Sequence, residues 1–189
     1  MVEKAIFARG VRSELVLNAM RSVARESFLP AQLREFAYED APLPIEEGQT
    51  ISQPYIVAFM TEALALRGGE KVLEIGAGSG YAAAVLSEIA ADVYTVERHG
   101  PLAEKAAATL ADLGYDNVHV LHGDGTRGWP AHAPYDAIIV AAGGPIIPES
   151  VIVFRGQLSR LRPALIGGNV MALSLTSVLG CKPWPSAAR

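Results

Sequence analysis

Apolar and polar positions follow helical spacing near the N-terminus of the chain. Between residues 11 and 24, apolar side chains recur at steps of three and four with polar residues between them, which predicts an amphipathic helix. Further helices are predicted over 31–36 and 55–66. The stretch 38–47 holds two prolines and four acidic residues, so we expect a loop there. A loop ahead of a sheet domain is a common location for active-site residues.

After residue 66 the pattern changes to short apolar runs that alternate with helical segments. Strands are predicted over 71–75, 92–97, 117–121, 135–142 and 169–175, and helices over 81–91, 101–113 and 148–161. The run at 135–142 is almost continuously apolar, as in a central parallel strand buried on both faces. This alternation indicates an α/β fold with a mostly parallel sheet, whose ligands bind beyond the carboxyl ends of the strands. Gly76, Glu97, Asp124 and Gly143 follow these ends and are expected to converge.

The segment that joins the strand at 71–75 to the next helix is rich in glycine. Gly76, Gly78 and Gly80 allow positive φ angles and a close approach of the backbone to a ligand. A dinucleotide-binding loop reads G-x-G-x-x-G, and Tyr81 occupies its third glycine position, so a pyrophosphate is not the predicted ligand. Glu74 would also repel phosphate, but it suits a ligand that carries an ammonium or sulfonium group. An ordinary loop without a ligand is the alternative.

Acidic residues also follow the next two strands. Glu97 lies 23 positions after Glu74, close to the spacing of about 20 at which a carboxylate accepts hydrogen bonds from ribose hydroxyls in such folds. Asp124 stands between Gly123 and Gly125, where its carboxylate is able to accept from an exocyclic amine such as that of adenine. The alternatives are a solvated strand end for Glu97 and an Asx-turn for Asp124.

The composition argues against several classes of function. The chain has 189 residues, a net charge of −4 and a pI near 5.6, which suit one globular domain and give no electrostatic footprint for nucleic acid. Cys181 is the only cysteine and the histidines lack metal-ligand spacing, so neither a disulfide framework nor a metal site is predicted. No signal peptide or membrane-spanning stretch is recognised. We expect a cytoplasmic monomer that acts on a protein or a small molecule.

Within this single domain, three regions are predicted. Residues 1–66 are expected to form an N-terminal helical extension that carries the substrate-side loop. Residues 67–175 are expected to form the cofactor-binding core, and 176–189 an irregular tail. Ser52 lies just before the helix predicted at 55–66, where it is a candidate N-cap.

Several motifs, in a fixed order, are similar to those of one family. The pattern E-x-G-x-G-x-G at 74–80 resembles motif I of the class I S-adenosylmethionine-dependent methyltransferases. The stretch 37–62 resembles the signature of the protein-L-isoaspartate (D-aspartate) O-methyltransferases. Further similar stretches agree in order, so that the resemblance extends over roughly residues 11 to 150; they lie at 23–30, 72–81, 93–98, 123–130 and 133–136.

The resemblance implies a three-layer Rossmann-like fold, S-adenosylmethionine as the cofactor, and protein repair. This family transfers the methyl group to the free α-carboxylate of an L-isoaspartyl or D-aspartyl residue in a damaged protein, and the ester then cyclises to a succinimide that hydrolyses partly to normal aspartate. Ser52 matches the family's active-site serine, which we expect to orient the substrate carboxylate by a hydrogen bond. The residues expected to contact the cofactor are Thr50, Ile51, Glu74, Gly76, Gly78, Ser79, Gly80, Glu97, Arg98, Gly123, Asp124 and Gly125.

The chain departs from the family pattern toward its C-terminus. The segment 149–168 is longer than the family's segment before its fifth strand, and the chain stops about where the family continues through further strands. Two alternatives to a repair enzyme therefore stay open. One is a shortened cofactor-binding homologue that is inactive or needs a partner, and the other is a class I methyltransferase that acts on a small carboxylate.

Overall fold

A computed structural model describes residues 1–142 and, beyond them, the backbone of two strands at 162–166 and 170–174. The α-helices are α1 (Glu14–Ser22), α2 (Pro54–Ala63), α3 (Tyr81–Ser87) and α4 (Gly100–Asp112). The strands are β1 (Leu43–Pro44), β2 (Thr50–Ile51), β3 (Lys71–Ile75), β4 (Asp92–Glu97), β5 (Val118–His122), β6 (Ala137–Val140), β7 (Arg162–Ile166) and β8 (Val170–Ser174). Shorter turns of 3₁₀ or π type lie at Val2–Ile6, Phe7–Arg9, Arg25–Phe28, Ala31–Phe36, Glu46–Gly48, Gly125–Arg127 and Pro130–His132.

Six of these strands form one sheet in the order β5-β4-β3-β6-β8-β7. The four strands β5, β4, β3 and β6 run parallel, whereas β8 pairs with β6 and β7 pairs with β8 in antiparallel fashion. The chain moves outward from β3 to β4 and β5, and then returns to the other side of β3 with β6. Ligands of open α/β sheets bind at such a reversal of strand order, so the topology directs attention to the carboxyl ends of β3, β4 and β6.

Apolar side chains cover both faces of the sheet. The larger cluster packs Val16 and Leu17 of α1, together with buried residues of α2 and α3, against strand residues such as Val72 and Val93. The smaller cluster lies on the opposite face, where Leu73 and Tyr94 are central to it. Because successive strand residues point to opposite faces, the alternation along β3 and β4 supplies both clusters. The result is the predicted Rossmann-like α/β architecture.

The predicted elements are largely confirmed, with shifts at their ends. β3 and β4 have the predicted bounds, while the helix predicted over 11–24 is restricted to α1 and the one over 81–91 to α3. The strand predicted over 169–175 is β8, although it runs antiparallel. The helix predicted at 148–161 and the tail at 176–189 lie outside the described residues.

Among the described strands, two features were not predicted from the sequence. One is a small hairpin in the stretch 38–47 and just after it, where β1 pairs antiparallel with β2. The other is strand β7 at Arg162–Ile166, in a segment that resembles an insertion by comparison with the family pattern. The hairpin matters for function because it brings Thr50 and Ile51 beside the sheet edge.

Candidate active site

A cavity of about 370 Å³ lies at the carboxyl ends of β3, β4 and β6, within the size range of small-ligand sites. It is lined by the loop after β3, by 96–99 at the end of β4, by 124–126 after β5 and by 141–142 after β6. The N-terminal extension contributes residues 49–52 and Val57 to the lining. Residues of the core and of the N-terminal extension therefore line one cavity.

The glycine loop, Gly76–Gly80, brings the backbone close to neighbouring segments. Gly76 has a φ of +97°, and a Cβ atom there would lie 3.0 Å from the Cβ of Ala142. A Cβ on Gly125 would lie only 2.5 Å from Cγ2 of Ile75, which itself lines the cavity. Side chains at these positions would fill the space between β3 and its neighbours, so glycine is needed to keep the cavity open.

Glu97 is the best-anchored polar group of the cavity. Its Oε2 accepts a hydrogen bond from the backbone N–H of Gly78 at 2.9 Å, and its Oε1 accepts one from the N–H of His99 at 2.9 Å. The side chain lines the cavity although the residue is only 6% exposed. Because a carboxylate offers about four lone pairs, each oxygen can still accept a bond from a ligand hydroxyl.

Asp124 forms the Asx-turn that was one of its two predicted roles, and it also lines the cavity. Its Oδ1 accepts hydrogen bonds from the N–H of Thr126 at 2.9 Å and from the Thr126 hydroxyl at 2.7 Å, as in an Asx-turn. The Thr126 hydroxyl and backbone N–H lower the pKa of Asp124 below its ordinary value, so the group is ionised at neutral pH. The residue also lines the cavity, and contact with a ligand amine stays a prediction.

Ser52 lines the cavity but does not cap helix α2. The helix begins at Pro54 with Gln53 at the N-cap position, and Gln53 makes no capping bond. Asp40 supplies the cap from a distant part of the chain, since its Oδ1 accepts from the N–H of Tyr55 at 2.9 Å. Within residues 1–142 the Ser52 hydroxyl has no hydrogen-bond partner. The N-cap interpretation of Ser52 is therefore wrong, and its hydroxyl is available to a ligand.

Glu74 was predicted to contact the cofactor, but it does not line the cavity. Its side chain is fully buried and its Oε2 accepts from the hydroxyl of Thr95 at 2.6 Å on the neighbouring strand. Burial, reinforced by the charge of Glu97 and opposed by the Thr95 bond, raises the pKa of Glu74 to about 8. Ile75 reaches the cavity, and the alternation of strand side chains turns Glu74 away from it.

Two other predicted residues, Gly80 and Gly123, also lie outside the cavity lining. A Cβ on Gly80 would lie 3.1 Å from Cδ1 of Leu110, so this glycine serves the packing of α4. The N–H of Gly123 donates to the carbonyl of Glu97 at 2.8 Å and continues the pairing between strands. The predicted residues that do line the cavity are Thr50, Ile51, Ser52, Gly76, Gly78, Ser79, Glu97, Arg98, Asp124 and Gly125.

Some lining residues were not predicted, notably Tyr81 and His99. Tyr81 is 1% exposed and begins α3 directly after the glycine loop. His99 directly follows the motif that ends in Arg98, and its Nδ1 lies 3.8 Å from Oε2 of Glu47 in the hairpin. Glu46, which precedes Glu47, forms an ion pair with Lys105 of α4. The sequence signal for Tyr81 and His99 was their position directly after the predicted site residues. The contacts of His99 and Lys105 with the hairpin depend on tertiary structure.

Comparison with known families identifies this arrangement. A model of the protein-L-isoaspartate (D-aspartate) O-methyltransferase family matches residues 1–160. The chain belongs to this family. The match includes the glycine loop, Glu97 and Ser52, which the fold brings to one cavity. It also includes the hairpin that supplies Thr50 and Ile51.

Individual members of the protein-L-isoaspartate O-methyltransferase family agree with the assignment. Protein-L-isoaspartate O-methyltransferase 1 of Rhodopseudomonas palustris is 68% identical over 151 residues, which are 80% of this chain and 62% of that protein. A solved protein-L-isoaspartate O-methyltransferase superposes with a TM-score of 0.73 at 34% identity, over 86% of this chain and 58% of the other. The chain thus spans about three fifths of the length of these relatives.

A more distant structure shows the same fold. It comes from Plasmodium falciparum, is described as a protein-L-isoaspartate O-methyltransferase, and was solved in complex with S-adenosyl-L-homocysteine. The TM-score is 0.69 at 24% identity, over 81% of this chain and 77% of that one.

Among the described residues of the present family member, no helix has the length and apolar character to cross a membrane. The same residues contain no group of three or more acidic, histidine or cysteine side chains arranged to hold a metal ion.

Proposed function

We propose that this chain is a protein-repair methyltransferase that uses S-adenosylmethionine to methylate the free α-carboxylate of L-isoaspartyl and D-aspartyl residues. The observation that carries the proposal is that one cavity is lined by the glycine loop, Glu97 and Ser52, and that the Ser52 hydroxyl has no partner among the described residues. Substrates would be damaged proteins and peptides. We further propose that it acts as a cytoplasmic monomer, without nucleic acid or membrane partners.

The residues of the cavity fit the proposed cofactor. Glu97 offers acceptors to the ribose hydroxyls. Because Gly76 and Gly78 have no side chains, they leave room beside the backbone for the methionine part of the cofactor, which carries the sulfur. In this proposal Asp124, which lines the cavity, accepts from the adenine amine. Two carboxylates in a cavity of about 370 Å³ disfavour a phosphate-bearing ligand and suit a nucleoside with a positive sulfur.

The chemistry asks little of the protein beyond positioning. When bound, S-adenosylmethionine supplies a methyl group on a positively charged sulfur that is open to displacement. A carboxylate is already ionised and nucleophilic at neutral pH, so no general base is required. In this proposal the Ser52 hydroxyl donates a hydrogen bond to the substrate carboxylate and holds one oxygen in line with the methyl carbon.

Exclusion of water is the second contribution of the protein. The two opposite charges diminish as the carbon–oxygen bond forms and the carbon–sulfur bond breaks, and the electron pair of the broken bond remains on sulfur. Such a reaction is faster in dry surroundings. Ile51, Val57 and Ile75 supply apolar parts of the cavity lining. No proton is transferred in the methylation step itself.

Two measurements test the proposal separately for cofactor and substrate. Titration calorimetry with S-adenosylhomocysteine should show one binding site per chain. An isoaspartyl peptide incubated with the chain and S-adenosylmethionine should then yield a base-labile methyl ester, detected as released methanol. Binding without methylation would support an inactive or partner-dependent homologue, and absence of both would contradict the proposal.

A further inference from the structure

Arg25 is a charged side chain in an unusual place. It is 0% exposed, and it belongs to the 3₁₀ turn Arg25–Phe28 that follows α1. A buried guanidinium has lost its hydration, which is unfavourable unless the protein replaces the lost hydrogen bonds. Burial lowers the pKa of Arg25 accordingly. A cation retained in such a place calls for an explanation in terms of the contacts that it makes.

The guanidinium of Arg25 bonds to carbonyl oxygens from two separate segments. Nη1 donates to the carbonyl of Ala37 at 2.5 Å and reaches that of Glu39 at 3.5 Å. Nη2 donates to the carbonyl of Ala41 at 3.0 Å and to that of Ser52 at 3.2 Å. Within residues 1–142 no carboxylate oxygen forms an ion pair with it. The side chain therefore cross-links the loop 37–41 to the peptide of Ser52.

The same loop holds the other side of Ser52 through Asp40. Asp40 accepts from Nε2 of Gln53 at 2.8 Å and from the N–H of Tyr55 at 2.9 Å. Arg25 fixes the carbonyl of Ser52, and Asp40 fixes the residues that follow it. Neither contact uses the Ser52 hydroxyl. The backbone is thus held on both sides while the hydroxyl is left for a ligand.

Arg25 also lies close to the cofactor side of the cavity. Its guanidinium carbon is 5.7 Å from the centre of the Tyr81 ring, within the range of cation–π contact. Tyr81 lines the cavity and follows the glycine loop. Arg25 consequently contacts both the Ser52 carbonyl and Tyr81, which follows the glycine loop at the start of α3.

We infer that Arg25 is a positioning residue for the reaction, which sets Ser52 relative to the glycine loop through the Ser52 carbonyl. This inference rests on the proposed function of Ser52. The planar guanidinium presents donors in fixed directions to four carbonyl groups, whereas a lysine ammonium presents three donors from one nitrogen. Arg25→Lys therefore keeps the charge and loses the geometry.

The test is a double-mutant cycle on the chain, with Arg25→Lys, Ser52→Ala and the combined variant. Arg25→Lys should lower kcat for an isoaspartyl peptide about 10-fold or more, because small misplacements of reacting groups cost large factors in rate. Its KM and its affinity for S-adenosylhomocysteine should remain within about 2-fold of wild type, since neither depends on the alignment of the carboxylate. In the Ser52→Ala background, Arg25→Lys should have little further effect on kcat.

A purely structural role predicts a different result. The two substitutions would then multiply in kcat, and Arg25→Lys would weaken cofactor binding together with turnover. Either outcome overturns the inference. If the wild-type chain does not methylate the peptide at all, the proposed function fails first, and amide hydrogen exchange takes over as the readout. Arg25→Lys should then reduce amide protection over 37–53 and leave protection over 72–80 unchanged. An equal change in protection in the two segments, or no change in either, would overturn the positioning role.

Arg25→Gln guards against a variant that fails to fold. The glutamine amide can still donate to one or two of the carbonyls. The kcat of Arg25→Gln should therefore lie between those of wild type and Arg25→Lys, with the cofactor affinity of wild type. Should neither variant fold, nitrogen-15 spectra of the wild-type chain remain informative. A guanidinium held by four carbonyls should give separate, slowly exchanging Nη signals, and a single averaged signal for every arginine would contradict the geometry.

Discussion

Glu97 Oε2 accepts a hydrogen bond from the backbone N–H of Gly78 across 2.9 Å, so the end of β4 holds the glycine loop that follows β3. The other oxygen accepts from the N–H of His99 at the start of α4. One carboxylate thus joins three parts of the cavity. It preorganises the loop and still has lone pairs for a ligand.

Glu97→Ala should therefore weaken binding of S-adenosylhomocysteine about 10- to 100-fold, because hydrogen bonds to a charged group contribute about 1.5–3 kcal/mol. Glu97→Gln should lose less, since its amide oxygen can still accept from Gly78. Calorimetry measures both affinities. Glu104→Gln is a matched control, because Glu104 is exposed on α4 outside the cavity. Equal affinity of wild type and Glu97→Ala would exclude Glu97 from the cofactor site.

Gly76→Ala tests whether the close backbone approach matters beyond the φ angle. Gly76 has φ +97° and would place a Cβ 3.0 Å from that of Ala142, whereas Gly69 has φ +92° with open space around it. Both alanine variants should pay the left-handed penalty of about 1–2 kcal/mol. Only Gly76→Ala should also lose cofactor affinity. Urea unfolding and calorimetry separate these effects, and equal losses for both variants would contradict this account of the loop.

Ser52 and Asp40 should separate catalysis from stability. Ser52→Ala should leave the free energy of unfolding and the cofactor affinity nearly unchanged but reduce kcat about 10-fold or more, because only the bond to the substrate carboxylate is removed. Ser52→Thr should retain part of the activity through its hydroxyl. Asp40→Ala, unlike Ser52→Ala, should lower stability by about 1–2 kcal/mol, as expected for the loss of a helix cap. If Ser52→Ala is as unstable as Asp40→Ala, the serine has mainly a structural role.

Glu74 should make the stability of the fold depend on pH. Burial raises its pKa in the folded chain from 4.5 to about 8, so the unfolded chain releases this proton at lower pH than the folded one. The stabilising contribution of protonated Glu74 to the free energy of unfolding is fully present below about pH 4.5. It decreases as the pH rises and is lost at about pH 8. Glu74→Gln should remove this dependence. Urea midpoints at intervals from pH 4.5 to 8.5 provide the comparison; parallel profiles for wild type and Glu74→Gln would contradict the raised pKa.

The sequence predicted the local elements and most of the residues that line the cavity better than the contacts that hold those residues in place. β4 was predicted with its observed bounds, because a short apolar run ends at an acidic residue beside a helix start. The pairing of Glu74 with Thr95 depends on the register of two strands, which a single sequence does not reveal. For that reason Glu74 was predicted as a ligand contact although it is buried beside the cavity.

Long-range polar contacts explain the remaining differences. Arg25 belongs to a residue type that is normally exposed, and nothing near it in sequence indicates that carbonyls at 37–41 and Ser52 surround it. The cap on α2 comes from Asp40, which lies 15 positions before Tyr55, instead of from the adjacent serine. The hairpin depends on Glu47 in a left-handed conformation, with φ +56°, which is uncommon for glutamate.

Selectivity for the isoaspartyl linkage tests the central claim most directly. Two peptides of identical sequence, one with an L-isoaspartyl and one with a normal aspartyl residue, should be compared at equal concentration with labelled S-adenosylmethionine. The account predicts transfer of the methyl group to the isoaspartyl peptide, little or none to its aspartyl counterpart, and a large decrease in Ser52→Ala. Equal labelling of both peptides, or no labelling by a chain that binds S-adenosylhomocysteine, would contradict it.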